Sequence, residues 1–198
     1  MKYKVIIFDS DGMVNNGQHF TDRYTADFGI DVKLMMPFIK NDFLDCELGR
    51  KDLKTEIVKY FEDWKWQGNV EELLNYWFEG EVNIDEKMFD EIEKLKKSEV
   101  KCYLATNQEK YRLEFMKEKM GYKDLFYKIY ASCDVGFMKK ENEFLEYVYG
   151  DISKDCNVQK DEVLFWDDKP DHIDKIDKFG FVGKVYKNFD DFKKVISK

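Results

Sequence analysis

Residues 5–8 are four consecutive apolar residues, and two carboxylates, Asp9 and Asp11, follow them directly. A short apolar run of this kind predicts a strand that is buried on both faces of a sheet. Because side chains alternate along a strand, Asp9 and Asp11 are expected to point the same way. Ligands of open α/β sheets bind beyond the carboxyl ends of the strands, and Gly12 would let the backbone approach one closely. The alternative is a plain polar turn, in which Asp, Ser and Gly are all common.

The size and charge of the chain narrow the class of protein. Its 198 residues, of which 17% are aromatic, fit one domain with a large insertion or two small domains. There are 33 basic and 41 acidic residues and no basic block, so we expect neither a nucleic acid polymer nor a membrane as a partner. The apolar run at residues 5–8 is too short for a signal peptide, and no stretch reaches transmembrane length. We therefore expect a soluble, cytoplasmic protein.

Four cysteines are spread along the chain without a Cys-x-x-Cys pair: Cys46, Cys102, Cys133 and Cys156. This spacing argues against a zinc or redox site. A disulfide framework is not expected either, because such frameworks are typical of small secreted domains. We expect reduced thiols that mainly fill the core.

Between residues 15 and 84 the apolar residues recur at helical spacing. One predicted helix carries Leu53, Ile57, Tyr60, Phe61 and Trp64, and a second carries Leu73, Leu74, Trp77 and Phe78. Asn69 followed by Glu72 predicts a capping box at the start of the second helix. Less regular apolar residues at 28–44 indicate one or two more helices. The segment is thus predicted to be a small all-helical module, whose aromatic stripes are more typical of a core than of a ligand pocket.

From about residue 84 the pattern changes to strands that alternate with helices. Further strands are predicted at residues 101–105, 129–131, 163–166 and 181–185. Helices are predicted around residues 89–95, 113–120, 141–149, 170–179 and 189–196. This alternation predicts a parallel sheet covered by helices on both sides. The helical module interrupts it once, so we predict a core of residues 1–15 and 84–198 with an inserted cap of residues 16–83.

Four strands of the predicted sheet are followed by polar residues that suit one chemistry. These residues are Asp9 and Asp11 after the first strand, Thr106 and Asn107 after the second, Lys139 after the third, and Asp167 and Asp168 after the fourth. Carboxylates that converge from two strands repel one another unless a cation neutralises them. Oxygen ligands without a nearby His or Cys favour Mg²⁺. A hydroxyl, an amide and an ammonium beside that ion would bind a phosphate group.

The same residues carry a resemblance to the haloacid dehalogenase (HAD) superfamily, in the branch with a helical cap inserted after the first motif. The four motifs that resemble those of the family are Asp9 to Val14, Leu104 to Asn107, Gly136 to Lys139 and Phe165 to Asp168. They occur in the family's order and spacing over about residues 4–185. The resemblance implies an α/β fold, with a Rossmann-like parallel-sheet core and an all-helical cap.

The resemblance also implies a reaction. Asp9 would attack phosphorus to form an aspartyl phosphate, which divides hydrolysis into two easier displacements. Asp11 would donate a proton to the leaving oxygen and then activate the water that cleaves the intermediate. The expected substrate is a small phosphorylated metabolite. The expected function is therefore that of a Mg²⁺-dependent phosphatase.

The family pattern assigns binding roles to the remaining motif residues. Phosphoryl oxygens would be bound by Thr106, Asn107 and Lys139. Mg²⁺ would be held by one Asp9 oxygen, the Asp11 backbone carbonyl and Asp168, with Asp167 either in contact with the ion or one layer further out. Lys139 is preferred over Lys140 because it keeps the spacing from Gly136. Met13 and Lys140 depart from the family's usual residues without removing a functional group.

Four alternatives remain. A dehalogenase of the same superfamily is disfavoured because those enzymes generally lack an Asp at the position of Asp11, since a halide needs no protonation. A response-regulator receiver would place its acidic pair before the phosphoacceptor Asp and would carry no large cap. A phosphomutase would use the same residues while excluding water. A capped binding or regulatory protein without turnover would not need all four motifs.

Three further residues of the predicted cap have less specific interpretations. His19 lies where the cap joins the core and could contact substrate, although an exposed surface histidine is the simpler interpretation. Arg50 and Lys51 begin a predicted helix and could reach a substrate anion. Exposed cations at a helix end are the simpler interpretation for both.

Overall fold

A computed structural model of the protein describes residues 3–197. Five parallel strands form one sheet in the order β3-β2-β1-β4-β5. The strands are β1 (Val5–Phe8), β2 (Lys101–Thr106), β3 (Lys128–Ala131), β4 (Val163–Asp167) and β5 (Val182–Val185). This sheet confirms the parallel α/β fold that the alternating pattern predicted.

Eleven α-helices are found in the described residues. They are α1 (Phe20–Phe28), α2 (Phe43–Glu47), α3 (Leu53–Ile57), α4 (Val70–Gly80), α5 (Glu86–Lys97), α6 (Lys110–Lys119), α7 (Tyr122–Leu125), α8 (Ser132–Val135), α9 (Asn142–Cys156), α10 (Pro170–Phe179) and α11 (Phe189–Ile196). Short 3₁₀ turns cover Val32–Leu34, Val58–Tyr60 and Lys160–Glu162, and a π-helical turn covers Phe38–Asp42.

Strand β1 lies at the centre of the sheet and is fully buried, as its unbroken apolar run predicts. Ile6 and Phe8 pack under α5, α6, α7 and α11, whereas Val5 and Ile7 pack under α9 and α10 on the opposite face. Burying one such side chain contributes about 1.5–3 kcal/mol. The strand is therefore a rigid base for whatever follows Phe8.

The chain between β1 and α5 folds into helices with a hydrophobic core of their own. We call residues 16–83 the helical segment. Its buried residues include Phe20, Tyr24, Trp64 and Trp77, and the ring centroids of Phe20 and Trp77 stack 4.3 Å apart. The predicted capping box begins α4, where the Asn69 side chain accepts from the Glu72 backbone N–H. The aromatic stripes of the segment thus build mainly a core.

The chain enters the helical segment near Asn16 and leaves it near Asn83, and we call these two adjacent connections the crossings. The Asn16 N–H donates to the Asn83 carbonyl at 2.8 Å, and Asn15 and Ile84 form an antiparallel bridge. Gly17 is needed here, because a Cβ at this position would lie 1.7 Å from the Glu81 carbonyl oxygen. The two crossings therefore run side by side as a short two-stranded connection.

Some element boundaries differ from the sequence-based predictions. Helix α9 continues to Cys156 instead of ending near residue 149, and Asn157 ends it in a left-handed conformation with φ 48°. The helix predicted over residues 53–64 is shorter, because a 3₁₀ turn ends at Tyr60 and Lys65 reverses the chain with φ 55°. The short helices α7 and α8 were not predicted, since each has four residues, too few for a helical spacing of apolar residues to be recognised.

The cysteines are reduced, as expected. Cys46 and Cys102 are buried and Cys133 and Cys156 are partly buried, and all four are free thiols. Burial raises the pKa of both Cys46 and Cys102 to about 12. Two of the four therefore serve as core residues. Across residues 3–197, no helix combines the length and the apolar character that a membrane span requires.

Candidate active site

The carboxyl ends of the central strands open into a cleft, which we call the strand-end cleft. Asp9 follows β1 directly and Thr106 is the last residue of β2, so the strands themselves fix both positions. The cleft has a volume of about 390 Å³, and the predicted site residues that line it are Asp9, Asp11, Thr106, Asn107, Lys139 and Asp168. Asp167, the last residue of β4, lies beside it and is fully buried.

An ammonium group connects two of the buried carboxylates. Lys139 Nζ lies 2.5 Å from Asp9 Oδ1 and 2.7 Å from Asp167 Oδ2, and the lysine side chain is 3% exposed. Burial raises the pKa of Asp9 to about 7, against the lowering effect of Lys139, and the negative charge of Asp167 adds to the rise. The two carboxylates share one ammonium, so the cluster keeps an uncompensated negative charge whenever both are ionised.

Asp167 is surrounded by hydrogen-bond donors. Its Oδ2 lies 3.1 Å from His172 Nδ1, and its Oδ1 accepts from the Lys169 backbone N–H at 2.8 Å. Burial raises the pKa of Asp167, but the bonds from His172 and Lys139 outweigh it and bring the pKa down to about 2. Asp167 is thereby held as a carboxylate. His172 lies in the first turn of α10, and no feature of the sequence assigned it to the site.

Three carboxylates of the cleft could hold one metal ion. One oxygen from each of Asp9, Asp167 and Asp168 lies within 4.8 Å of the other two. Asp168 Oδ1 is buried and has no hydrogen-bond partner among residues 3–197, while Oδ2 receives the Lys169 ammonium at 2.7 Å. Hard oxygen ligands in this number suit Mg²⁺, which keeps several water ligands. The residues present thus fit a divalent cation.

Asp11 is held apart from that cluster. Its Oδ1 accepts from Asn15 Nδ2 at 3.1 Å and its Oδ2 accepts from Gln108 Nε2 at 3.0 Å. Asn15 Nδ2 also donates to the Glu81 carbonyl at 2.8 Å. Two neutral amides therefore orient the Asp11 carboxylate. Neither was predicted from the sequence, because Gln108 reaches Asp11 only through the fold, and a polar residue four positions after Asp11 does not by itself indicate a contact.

The side chain of Asn107 forms a hydrogen bond with the backbone of Lys139. Asn107 Oδ1 accepts from the Lys139 N–H at 2.8 Å, which fixes the loop that carries the lysine. Lys140, the neighbouring residue, is exposed to solvent. The structure thus places Lys139 in the cleft and Lys140 outside it.

A second space, which we call the inner cavity, lies between the helical segment and the residues that follow β1 and β2. Its volume is about 240 Å³, and Asp11, His19 and Asn107 line both this cavity and the strand-end cleft. Arg50 and Lys51 line neither. Arg50 lies 3.9 Å from Asp45, and Lys51 forms ion pairs with Asp42 and Asp45 at 2.8 and 3.0 Å. Of these three less specific candidates, only His19 is near the site, and its side chain is exposed.

Solved structures share this architecture. The HAD family enzyme BT-2542 from Bacteroides thetaiotaomicron is 19% identical, with a TM-score of 0.82 over 99% of each chain. A HAD-like hydrolase from Porphyromonas gingivalis is 22% identical, with a TM-score of 0.77 over 100% of each chain. L-2-haloacid dehalogenase from Xanthobacter autotrophicus is 13% identical, with a TM-score of 0.65 over 98% of this chain and 83% of that chain.

The chain therefore has the fold of the HAD-like hydrolases, in agreement with the motif resemblance. No family model and no curated protein matches the sequence. BT-2542 has been crystallised in complex with magnesium and inorganic phosphate. The structures that share the fold include a dehalogenase, so the activity of this chain has to be argued from its own site.

Proposed function

We propose that the chain is a HAD-like phosphatase that hydrolyses a small phosphomonoester and uses Mg²⁺ as its cofactor. The observation that carries the proposal is the environment of the two carboxylates after β1. Asp9 lies in the cluster with Lys139 and Asp167, whereas Asp11 is held by the amides of Asn15 and Gln108. Two carboxylates in two environments suit two chemical roles.

Asp9 has the position of the nucleophile. Its Oδ1 accepts from the Ser10 N–H at 2.8 Å and from Lys139, so Oδ2 is left for a reacting group. In the first step an Asp9 oxygen forms a bond to phosphorus while the bond from phosphorus to the leaving oxygen breaks. In the second step water attacks the aspartyl phosphate and releases inorganic phosphate. Covalent catalysis of this kind replaces one difficult displacement by two easier ones.

Asp11 has the position of the general acid and base. It lies two residues after Asp9 and lines both the strand-end cleft and the inner cavity. In the first step it gives a proton to the leaving oxygen, and in the second it takes a proton from the attacking water. Asn15 and Gln108 hold its carboxylate between these two spaces. A carbon–halogen bond needs no such proton, which favours a phosphatase over a dehalogenase.

The other cleft residues would bind the phosphoryl group and the metal ion. Thr106, Asn107 and Lys139 border the cleft beside Asp9 and offer a hydroxyl, an amide and an ammonium. Asp9, Asp167 and Asp168 would hold Mg²⁺, which supplies positive charge to the phosphoryl oxygens when it is bound. We further propose that the helical segment, residues 16–83, acts as the cap over this site.

Release of phosphate from a panel of small phosphomonoesters, with and without Mg²⁺, tests the proposal. We expect turnover by the wild-type protein only with Mg²⁺, and none by the Asp9→Asn variant. Asp11→Asn should lower hydrolysis of alkyl phosphates by about 10²- to 10⁴-fold, with a smaller loss for p-nitrophenyl phosphate, whose leaving group needs little protonation.

Lys140→Ala is the matched control for Lys139→Ala, because only Lys139 reaches the carboxylates. We expect Lys140→Ala to retain activity and Lys139→Ala to lose it. No turnover of any phosphomonoester by the folded protein would overturn the proposal. Isomerised product in the presence of a sugar bisphosphate would instead identify a phosphomutase.

A further inference from the structure

The inner cavity begins at Asp11, the proposed general acid that would protonate the oxygen leaving phosphorus. Asp11 and Asn107 line both the cavity and the strand-end cleft, so the two spaces meet beside the proposed general acid. The walls that come from the helical segment include the aromatic rings of Phe20, Phe43 and Trp77. The alcohol part of a phosphomonoester bound at Asp9 would extend into this space. The side chains that line the cavity should therefore match the chemistry of that alcohol.

Glu81 and Glu109, two carboxylates of the cavity, have hydrogen-bond partners in the protein. Glu81 Oε1 accepts from the Phe20 N–H at 2.8 Å, and Oε2 lies 3.7 Å from Arg112 Nη2. Glu109 caps α6, because its side chain accepts from the backbone N–H groups of Tyr111 and Arg112. These two side chains are engaged in structural contacts and do not need a ligand.

Glu47 is different. It lines the cavity, yet its carboxylate has no hydrogen bond and no ion pair among residues 3–197. The Ser132 hydroxyl donates to the Glu47 backbone carbonyl at 2.6 Å, a contact that does not involve the carboxylate. Burial, with smaller contributions from the charges of Glu109 and Asp11, raises the pKa of Glu47 to about 7. A partly buried carboxylate without a partner is costly, so a ligand cation beside it would be strongly favoured.

The cationic side chain that lines the cavity, Arg112, does not neutralise Glu47. Its side chain is 3% exposed, its Nη1 donates to the Phe78 carbonyl at 2.7 Å, and its Nη2 faces Glu81. The Nε and Nη2 atoms are buried and have no hydrogen-bond partner in the described part of the chain. The guanidinium is thus directed at Glu81, and the charge facing the cavity stays negative.

We propose that the inner cavity selects an alcohol that carries an amine, whose ammonium group pairs with Glu47 among the rings of Phe43 and Trp77. This inference rests on the proposed phosphatase function and adds the class of substrate, a small amino-alcohol or amino-sugar phosphate. A carboxylate and aromatic faces are the two kinds of group that bind ammonium ions in proteins. An alcohol that carries an acid would meet Glu47 and Asp11 with like charge and is disfavoured.

The test compares phosphates of ω-amino alcohols of two to six carbons with those of the diol and hydroxy acid of equal length. At the length that spans from Asp11 to Glu47, kcat/KM for the amine should exceed that for the diol by about 10- to 100-fold, the range that a hydrogen bond to a charged group contributes. The hydroxy-acid phosphate should be the poorest of the three. Free amino alcohols of that length should inhibit hydrolysis of p-nitrophenyl phosphate, and the diols should not.

The Glu47→Gln variant removes the charge and keeps the shape. We expect the ratio of kcat/KM for amine to diol to fall close to one. Glu79→Gln is the matched control, since Glu79 lies on the exposed side of α4 and should keep the wild-type ratio. If p-nitrophenyl phosphate is hydrolysed but amine and diol react equally at every length, this inference fails alone. If the protein hydrolyses no phosphomonoester, the proposed function fails and this inference with it.

Discussion

At the scale of single residues, the site depends on a close approach between Gly12 and Asp168. Gly12 has φ 81°, and a Cβ at this position would lie 2.7 Å from Asp168 Oδ2. A left-handed conformation alone costs a residue with a side chain about 1–2 kcal/mol. Here the missing side chain also leaves the space that the Asp168 carboxylate occupies. The glycine therefore controls the geometry of the candidate metal site.

Gly12→Ala should displace Asp168 and weaken Mg²⁺ binding by at least about tenfold, the range seen when groups around a metal are disturbed. Gly29→Ala is the matched control, because Gly29 has φ 64° and nothing within 4 Å of its missing Cβ. Both variants should lose stability through backbone strain, but only Gly12→Ala should change the Mg²⁺ dependence of the thermal midpoint. An unchanged Mg²⁺ dependence in Gly12→Ala would contradict this reasoning.

The site residues differ in how far the sequence could predict them. The position of Asp9 and Asp11 at the strand-end cleft was predictable, because a buried strand fixes the direction of the residues that follow it. Gln108 was not, since nothing local marks a residue whose partner lies elsewhere in the fold, and His172 was not, because a histidine five residues after Asp167 is not by itself a sign of contact. Gln108 contacts Asp11 across 97 residues of sequence. Such contacts depend on how helices and strands pack, which spacing along one element does not encode.

At the scale of elements, the start of α3 connects the helical segment to α6. Asp52 accepts from the Thr55 N–H at 3.1 Å as the N-cap of α3, and its other oxygen accepts from the Tyr111 hydroxyl at 2.8 Å. Lys110 lies 2.6 Å from the same carboxylate. Bonds from Lys110, Tyr111 and Thr55 lower the pKa of Asp52 to about 2. One side chain thus both caps a helix and joins two elements.

Asp52→Asn keeps a capping side chain but removes the charge. The pKa of Asp52 is lowered on folding, so its charge stabilises the protein fully at pH values above 3.8, the pKa in the unfolded chain. This contribution disappears as the pH falls towards 2, the pKa in the folded protein. We expect a loss of less than about 1 kcal/mol at pH 7, since the side chain is one-third exposed, and a smaller loss at pH 3. Urea unfolding at both pH values measures it.

Asp63→Asn, at an exposed carboxylate, is the control and should change stability little at either pH. A destabilisation by Asp52→Asn that is equal at pH 7 and pH 3 would mean that the charge of Asp52 does not contribute to stability.

Elements with clear local signals, such as α4 with its capping box, were predicted well from the sequence. The end of α9 was missed because Asn157 can end a helix but does not have to.

At the scale of the whole molecule, Asn15 connects the proposed general acid to the crossings of the helical segment. Its Nδ2 donates to Asp11 and to the Glu81 carbonyl, and its Oδ1 accepts from the Asn83 N–H at 2.8 Å. The side chain is 2% exposed. Any movement of the segment at residues 81–83 therefore acts on the orientation of Asp11. The sequence predicted that a helical module is inserted here, but not this contact with the acid.

Asn15→Ala removes all three hydrogen bonds and leaves buried groups unsatisfied, at a cost of about 1–3 kcal/mol. We expect a lower free energy of unfolding and a lower kcat for alkyl phosphates, because Asp11 loses one of its two orienting donors. Asn16→Ala is the matched control, since that side chain is exposed and the structure bonds Asn16 through its backbone. Equal effects of the two substitutions on stability and kcat would refute the assigned role of Asn15.

The side-by-side crossings at Asn16 and Asn83 also bear on how such a chain can be built and rebuilt. The residues on either side of the insertion are already hydrogen-bonded neighbours, in the spacing of a hairpin. A two-residue turn such as Asn-Gly could join them without moving β1 or α5. Insertions are tolerated best at points where the flanking backbone needs no rearrangement. The helical segment could thus be exchanged at these crossings, provided that the replacement keeps the contacts of residues 81 and 83 with Asn15, through which Asp11 is oriented.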